Sequence, residues 1–486
     1  MLEASCTLRR PSGDPMITRI AAVVVLAAGP ALADPPPLSD SEQRIQREAR
    51  RLLEKLVAVE TVAANETKAL SFLSEHLHKS GIPSARIYES APGRGNLVAR
   101  VKGNGRKRPL LLLAHVDVVP ATGQPWTVPA FKLTEKDGYL YGRGVNDDKG
   151  MAAAIVAIAI EAARTKPPLS RDLILAVTAG EETGGFAGMG WLVEKHPELL
   201  DAELGLNEGN GGAVTVTDDL ARIQRVTIGL GQKTYQSYRM TARGRGGHSS
   251  TPRSDLSSIY ALATALQRLS AFSFPPRVLP ATRPGIAALA AAEKPPLSEA
   301  LRRTAETGQV SAEDDVILSR DSIGNAFIRT TCIPTMLQGS NQENVLPVSA
   351  EAIVQCRLLP GDTIEGVQQA LAKAVADPKV EITPTQPWGV GKPVPGDGEI
   401  PDAVRRVTRQ LWGDDVAIVS GFGFGANDGR YLTARGIHVY GLHPNPISAA
   451  DDRLGYDAHG PDERVSARWY AEGVRWLNAV VLEIAR

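Results

Sequence analysis

Two short phrases carry metal-binding chemistry: His115-Val116-Asp117 and Asn146-Asp147-Asp148-Lys149-Gly150. Three further groups join them: the doublet Glu181-Glu182, Glu208 within Asn207-Glu208-Gly209, and His459 near the C-terminus. Two imidazoles and several carboxylates, on segments that end apolar runs, form the ligand inventory of a two-metal hydrolase with one carboxylate to spare as a base. His115 and Asp117 are two apart on an expected strand, so they share a face. One can ligate a metal while the other orients the ring by accepting its second N–H. An aspartate at Asp147 or Asp148 can bridge two cations, or can cap the helix expected to follow. Adjacent residues in a loop diverge, so one of Glu181 and Glu182 can bind metal while the other faces the attacking water. Burial and neighbouring carboxylates raise such a base toward the working pH. Gly180, Gly184 and Gly185 around the doublet imply a backbone that passes close to another group. A single histidine or loop acid is ordinarily structural or solvated; the convergence of five strand-end sites on one inventory carries the reading.

The elements that position these residues follow from the apolar pattern. Helices are expected over residues 39–57, 67–80, 150–165 and 188–195, and strands over 96–101, 109–118, 173–178 and 204–207. Continuous apolar runs such as Leu110-Leu111-Leu112-Leu113-Ala114 mean strands buried on both faces. Strands alternating with helices predict an α/β layer with a mainly parallel sheet, whose strand C-termini bind ligands. After residue 231 the pattern changes. A strand at 235–242, a helix at 255–269, strands at 330–337 and 350–359, a helix at 363–376 and a strand at 379–383 give the β-α-β-β-α-β order of a ferredoxin-like domain. Residues 272–325 interrupt it as an insertion that could cover the site. The α/β pattern resumes near residue 395. The expected division is a catalytic domain in two parts, 34–232 and 387–486, around a small domain at 233–386.

The chain has 486 residues, 43% of them hydrophobic, and equal numbers of basic and acidic residues, 54 each. That balance excludes the positive excess of a nucleic-acid footprint. Residues 1–33 read as a secretory signal: a basic start at Met16-Ile17-Thr18-Arg19, an apolar stretch, and Ala31-Leu32-Ala33 before Asp34. The stretch is too short to span a membrane. Met16 reads as the natural start, and export to a bacterial periplasm is the expected destination. Cys6 would leave with the signal. Cys332 and Cys356 fall opposite each other if the intervening turn centres on Asn344. An oxidising compartment permits a disulfide there, but two separate buried thiols are expected, because directly opposed strand residues rarely suit disulfide geometry.

The same phrases, with Gly142-Arg143-Gly144, Gly247-His248-Ser249 and Ala458-His459-Gly460, resemble the M20 family of zinc peptidases and amidohydrolases across nearly the whole mature chain. The resemblance implies one metal on His115, Glu208 and Asp147, and another on His459, Glu182 and the bridging Asp147. It makes Glu181 the general base and Asp117 the group that orients His115, leaving Asp148 to support the helix start. It implies a dimerisation domain and a homodimer in which His248 reaches the partner subunit's site to stabilise an oxyanion. Asn344 and Arg357 resemble residues that grip a substrate carboxylate, and Gly425 lies where the family makes a backbone contact to it. The insertion resembles that of carboxypeptidase S-like and N-acyl-amino-acid hydrolase members. One local departure stands out: the family's Gly-Gly-Thr is here Gly423-Phe424-Gly425-Ala426-Asn427-Asp428.

The expected reaction is two-metal hydrolysis of an amide next to a free carboxylate, as in a metallo-carboxypeptidase or dipeptidase. The alternative is an N-acyl-amino-acid amidohydrolase. Zinc is the default ion, with cobalt or manganese able to substitute. A phosphoesterase would need a phosphate-cradling glycine loop leading into a helix, and none is evident. The run Gly421 to Ala426 matches a dinucleotide fingerprint in spacing only, without a complete βαβ unit after it. A metal-dependent binding protein would have no use for Glu181 as a free base.

Overall fold

The computed structural model describes residues 37–486 apart from Ala63, Asn210, Pro387, Trp388, Gly455 and Asp457. The expected signal over residues 1–33, with Met16 and Cys6, lies outside the described residues. The apolar run Leu110–His115 is buried along its whole length. It lies between Leu173–Thr178 and Leu204–Asn207, both parallel to it, and His438–Gly441 continues the parallel run. Antiparallel strands extend the sheet outward, Gly95–Val101 on one side and the Ala213–Val216 and Ile223–Gln232 pair on the other, to ten strands in all. The sheet is thus mainly parallel at its centre, as the continuous apolar runs require. Burial of each such leucine contributes roughly 1.5–3 kcal/mol.

Helices Asp40–Val57, Lys149–Arg164 and Ala467–Ala485 pack against one another in the main core, which holds Leu52, Ile155 and Trp476 with no exposure. A reciprocal cap between Ser39 and Glu42 starts the first of them. The run of alanines in Lys149–Arg164 is buried on nearly every side, which lets neighbouring elements approach closely.

The small lobe begins one residue after the large sheet's strand Ile223–Gln232, with Thr234–Arg243. Its four strands run in the order Thr331–Gln338, Ser349–Leu358, Thr234–Arg243, Val380–Pro384, and the pairings are antiparallel. Ser349–Leu358 alternates half-buried and buried positions without a break. Its buried face packs with Leu262 and Leu371 of helices Ser258–Ser270 and Ile364–Val375 into a separate core. The insertion forms helices Arg283–Ala292, Leu297–Thr307, Ala312–Leu318 and Ser322–Ile328. Ile286, Leu301, Leu318 and Phe327 of these helices belong to the large lobe's core.

The expectation of two separate cysteine thiols is corrected. Cys332 is paired with Cys356 in the strand register, their Cα atoms are 4.1 Å apart, and the two sulfurs are bonded. The physical reason is the register itself, since opposed residues of an antiparallel pair approach to roughly 4.5–5.5 Å.

Candidate metal centre

Four neighbouring parallel strands deliver their C-terminal ends to one edge of the large sheet. Leu110–His115 ends in His115, Leu173–Thr178 leads to Glu181 and Glu182, Leu204–Asn207 to Glu208, and His438–Gly441 to His443. Asp147 comes from the loop that opens helix Lys149–Arg164. His459 comes from the loop before Arg464–Ser466. Asp147, Glu182 and His459 each offer a ligand atom within 4.8 Å of the others. His115 Nε2 is 3.0 Å from Asp147 Oδ1, and His459 Nε2 is 3.2 Å from Asp147 Oδ2 and 3.1 Å from Glu182 Oε1. Asp147 therefore stands between the two imidazoles, one on each carboxylate oxygen. Glu208 and Glu181 line the same cavity, about 450 Å³ in volume, together with Gly425 and Arg357.

The electrostatics of this nest favour cations. Burial pushes Glu181 and Glu208 well above the usual carboxylate range, and carboxylate neighbours add to it: Glu208 and Asp428 for Glu181, Asp148 and Asp147 for Glu208. Hydrogen bonds to Asp147 and Glu182 push His459 up to about 10. Burial alone would lower His115, but Asp117 and Asp147 overcome it and hold the ring well above its ordinary value. Nitrogen and oxygen donors around one shared carboxylate fit a pair of borderline or hard divalent ions. Partial burial of the carboxylates gives such ions a site that water competes for poorly.

The glycine reading of the glutamate turn has a structural cause. Gly180 and Gly185 both have left-handed backbone, with φ of 69° and 67°. A Cβ on Gly180 would meet Arg94 at 2.2 Å, and one on Gly185 would meet Asp428 at 2.3 Å. His459 also has a left-handed φ, 62°, costly for a residue with a side chain. Its carbonyl accepts hydrogen bonds from Gln124 Nε2 at 2.7 Å and Arg143 Nη2 at 3.2 Å, which hold that conformation.

Two expected roles change in detail. Asp117 Oδ1 is 3.5 Å from His115 Nδ1, but the Asp117 carbonyl is nearer, at 3.0 Å. The Asp117 carboxylate accepts its shorter bonds from the N–H groups of Glu181 and Glu182, at 3.0 and 3.1 Å. It fixes the two-glutamate turn against the strand as much as it steers the imidazole. Asp148 occupies the N-cap position yet makes no side-chain cap bond. Fully buried, it instead accepts from the His115 N–H at 3.3 Å and lies 3.4 Å from His443 Nε2. A solvated cap would serve the helix alone; here burial ties the aspartate to the strand ends.

Arg357 and Tyr235 are direct cross-strand partners, and the guanidinium lies over the ring, 4.7 Å from its centroid. Arg357 also donates to the Phe424 carbonyl at 3.4 Å. Asn344 and His248 stand elsewhere. They belong to a short hairpin in which Gly247–His248 pairs with Val345–Leu346 and the Asn344 carbonyl accepts from the Ser249 N–H. Both are exposed, and neither lines the cavity of its own chain. Residues 272–325, the insertion that could cover the site, contribute no lining residue to that cavity. Just past it, Phe327 packs edge-on against Phe424, next to Gly425 in the chain.

Several residues that position the site escape a reading by motif. Glu463, fully buried, accepts from Arg143 Nη1 at 2.8 Å and from the N–H groups of Gly144, Asn146 and Asp147. This pair ties the Asp147 loop to the His459 segment. Asn427, in the departing segment, donates to the Glu208 carbonyl at 2.7 Å and bonds Gln232 in both directions. The available signals are the place of Arg143 within Gly142-Arg143-Gly144 and of Glu463 four residues past His459.

A family model for peptidase family M20/M25/M40 matches residues 111–483. The N-fatty-acyl-amino acid synthase/hydrolase PM20D1 of Mus musculus is 26% identical over 463 residues, covering 91% of this chain and 88% of the relative. Among solved structures, the M20 family metallo-carboxypeptidase Sso-CP2 from Sulfolobus solfataricus superposes with a TM-score of 0.66 at 18% identity, covering 90% of this chain and 99% of that one. YXEP of Bacillus subtilis, described as a dinuclear metal binding peptidase of the M20 family, gives 0.57 at 13% identity, covering 92% and 98%. With the family model matched over most of its length, the chain belongs to peptidase family M20/M25/M40 and is a hydrolase of that family.

Proposed function

We propose that this enzyme hydrolyses an amide bond adjacent to a free carboxylate. The carrying observation is Arg357: its guanidinium has no acidic partner among the described residues, yet it lines the cavity that also holds Asp147, Glu181, Glu182, Glu208 and His459. A planar fork in that position matches a substrate carboxylate two-pronged. Peptides with a free C-terminus are the first substrate class. The second, N-acyl amino acids, is favoured by a relative named for N-fatty-acyl amino acids that covers most of the chain.

His115, Asp147 and Glu208 would hold one cation, and His459, Glu182 and Asp147 the other, zinc being the default for this donor set. When bound, the ions supply Lewis-acid polarisation of the carbonyl and lower the pKa of water. Glu181 takes the proton of the attacking water and delivers one to the leaving nitrogen. Its backbone is held by Asp117, so the carboxylate is placed without being used as a structural acceptor. Arg357, steadied on Tyr235, orients the substrate. His248 Nδ1 accepts from the Ser250 N–H at 3.2 Å, which leaves the neutral ring's proton on Nε2 as a donor suited to an oxyanion. Because His248 is exposed and away from its own chain's cavity, that donor serves the site of a second copy. The Cys332–Cys356 bridge supports export to an oxidising compartment.

The test measures metal content and amino-acid release from dipeptides and N-acyl amino acids. Release should vanish on chelation and return with zinc or cobalt. Undiminished release from fully demetallated protein overturns the scheme. Equal cleavage of C-terminally amidated substrates removes carboxylate recognition by Arg357.

A further inference from the structure

One glycine of the cavity has no reason in the fold to be a glycine. A Cβ on Gly425 would meet no atom within 4 Å, and its backbone lies outside the left-handed region. The other glycines with that much room among the described residues, Gly81 and Gly436 for example, have left-handed backbone, with φ of 87° at both. Two further glycines on the cavity wall are held by packing as well. A Cβ on Gly209 would meet Asn427 at 2.4 Å, and one on Gly211 would meet the Phe422 backbone at 2.5 Å, and both have left-handed φ. Neither packing nor conformation requires Gly425, which lines the cavity together with Arg357 and Glu208. Arg357 Nη1 donates to the carbonyl of Phe424, the residue before Gly425, at 3.4 Å. A substrate carboxylate on that guanidinium therefore sits beside Gly425. In an amino acid the side chain leaves the same Cα that carries the carboxylate and the scissile nitrogen, so it emerges beside Gly425 too.

We propose that Gly425 is a specificity-determining residue: the room left by its missing side chain receives the side chain of the amino acid to be released, and that side chain is large and uncharged. The inference rests on the amide-hydrolase reading above. A large group fills the room beside Gly425, whereas a small one leaves a void whose walls forfeit their contacts. A cationic side chain would lie against the Arg357 guanidinium, and an anionic one would face Glu181, Glu182 and Glu208 on the same cavity wall. Any group added at residue 425 takes its room from the substrate.

The experiment compares kcat/KM of the zinc-loaded enzyme for glycyl and N-acetyl conjugates of L-phenylalanine, L-leucine, L-alanine, L-lysine and L-glutamate. Wild type should prefer phenylalanine over alanine by about tenfold or more, and leucine over lysine and glutamate. The phenylalanine-to-alanine ratio should fall in Gly425→Ala and drop below one in Gly425→Val. Because the backbone at Gly425 is ordinary and the space around it open, both variants should fold, and thermal unfolding of each checks this. Cleavage of the alanine conjugates at an equal or higher rate by wild type overturns the inference and leaves amide hydrolysis standing. Cleavage of the lysine or glutamate conjugates as fast as those of leucine overturns the choice of an uncharged side chain. A ratio unchanged in Gly425→Val, including loss of both substrates in equal proportion, overturns the assignment to Gly425. Cleavage of no conjugate by wild type overturns this inference and the underlying reading together.

Discussion

Glu181 and Glu182 are neighbours in sequence with different proposed tasks, and the proposal rests on what each touches. Glu182 meets His459, so its charge is already engaged. Glu181 is buried in the same turn with carboxylates around it and no hydrogen bond to its own oxygens among the described residues. Replacing Glu181 by Gln keeps the size and removes the proton acceptor. Turnover should fall roughly 100- to 10 000-fold, while the metal content of the purified variant matches wild type. Full activity with both metals bound would remove Glu181 from the base role. The Arg143–Glu463 pair makes a different prediction. Both partners are buried, so Glu463→Ala leaves an uncompensated guanidinium and orphans three backbone N–H groups. That should cost about 3–5 kcal/mol in urea unfolding. The double variant Arg143→Met with Glu463→Leu should recover part of the loss, because the stranded charge is gone.

At the scale of elements, what was legible in the sequence depends on whether its cause is local. His115, Glu181-Glu182 and Glu208 can be singled out because each lies at or just past the end of a short, mostly apolar strand, and such strands lie centrally in the sheet with their ends on one edge. The β-α-β-β-α-β order of the small lobe is legible for the same reason, through alternation along residues 349–358. The knot of Arg143 with Glu463 is not, because its partners are 320 residues apart and a single arginine and glutamate have no period. Asp148 is misread since a cap and a buried acceptor look alike until the fold shows which side is wet. The cysteine register is legible, whereas the bond depends on how closely two strands approach. That bond closes a loop with a sequence separation of 24, so its loss through Cys332→Ser with Cys356→Ser should cost about 3–4 kcal/mol, seen as a lower unfolding midpoint. Lys233, between the two sheets, makes the pH prediction. Burial pushes its ammonium down to about 7, with Arg357 adding and Asp362 opposing, while its Nζ donates to the Arg329 carbonyl at 2.7 Å. An unfolded lysine titrates near 10.4. Between about pH 7 and 10.4 the unfolded chain holds a proton that the folded chain has released, so stability rises with pH across that window and the full penalty applies below it. Urea midpoints at pH 7 and 9 should rise in wild type, and the rise should flatten in Lys233→Met.

At the scale of the whole molecule, the outer edge of the small sheet poses a problem that the proposed pairing with a second copy would solve. Thr331–Gln338 is an edge strand, and it exposes Ile333 at 62%, Met336 at 66% and Leu337 at 68%. A bulge between Pro334 and Met336 interrupts its inner register, yet no charged residue guards it. Bare apolar edges invite pairing with another chain, and Val345 and Val348 of the nearby hairpin widen the patch. That hairpin carries His248. Pairing along this edge would bring the hairpin of each copy toward its partner, which joins the exposed patch to the reaction. Leu337→Arg with Met336→Glu should therefore yield a monomer in sedimentation, with metal content and far-ultraviolet dichroism unchanged. If His248 acts across the interface, kcat should fall with the loss of the dimer by about the same factor as in His248→Ala. Combining the edge variant with His248→Ala should then add little, because both remove one interaction. A monomer that retains full kcat would confine His248 to its own hairpin and leave oxyanion stabilisation to groups within a single chain.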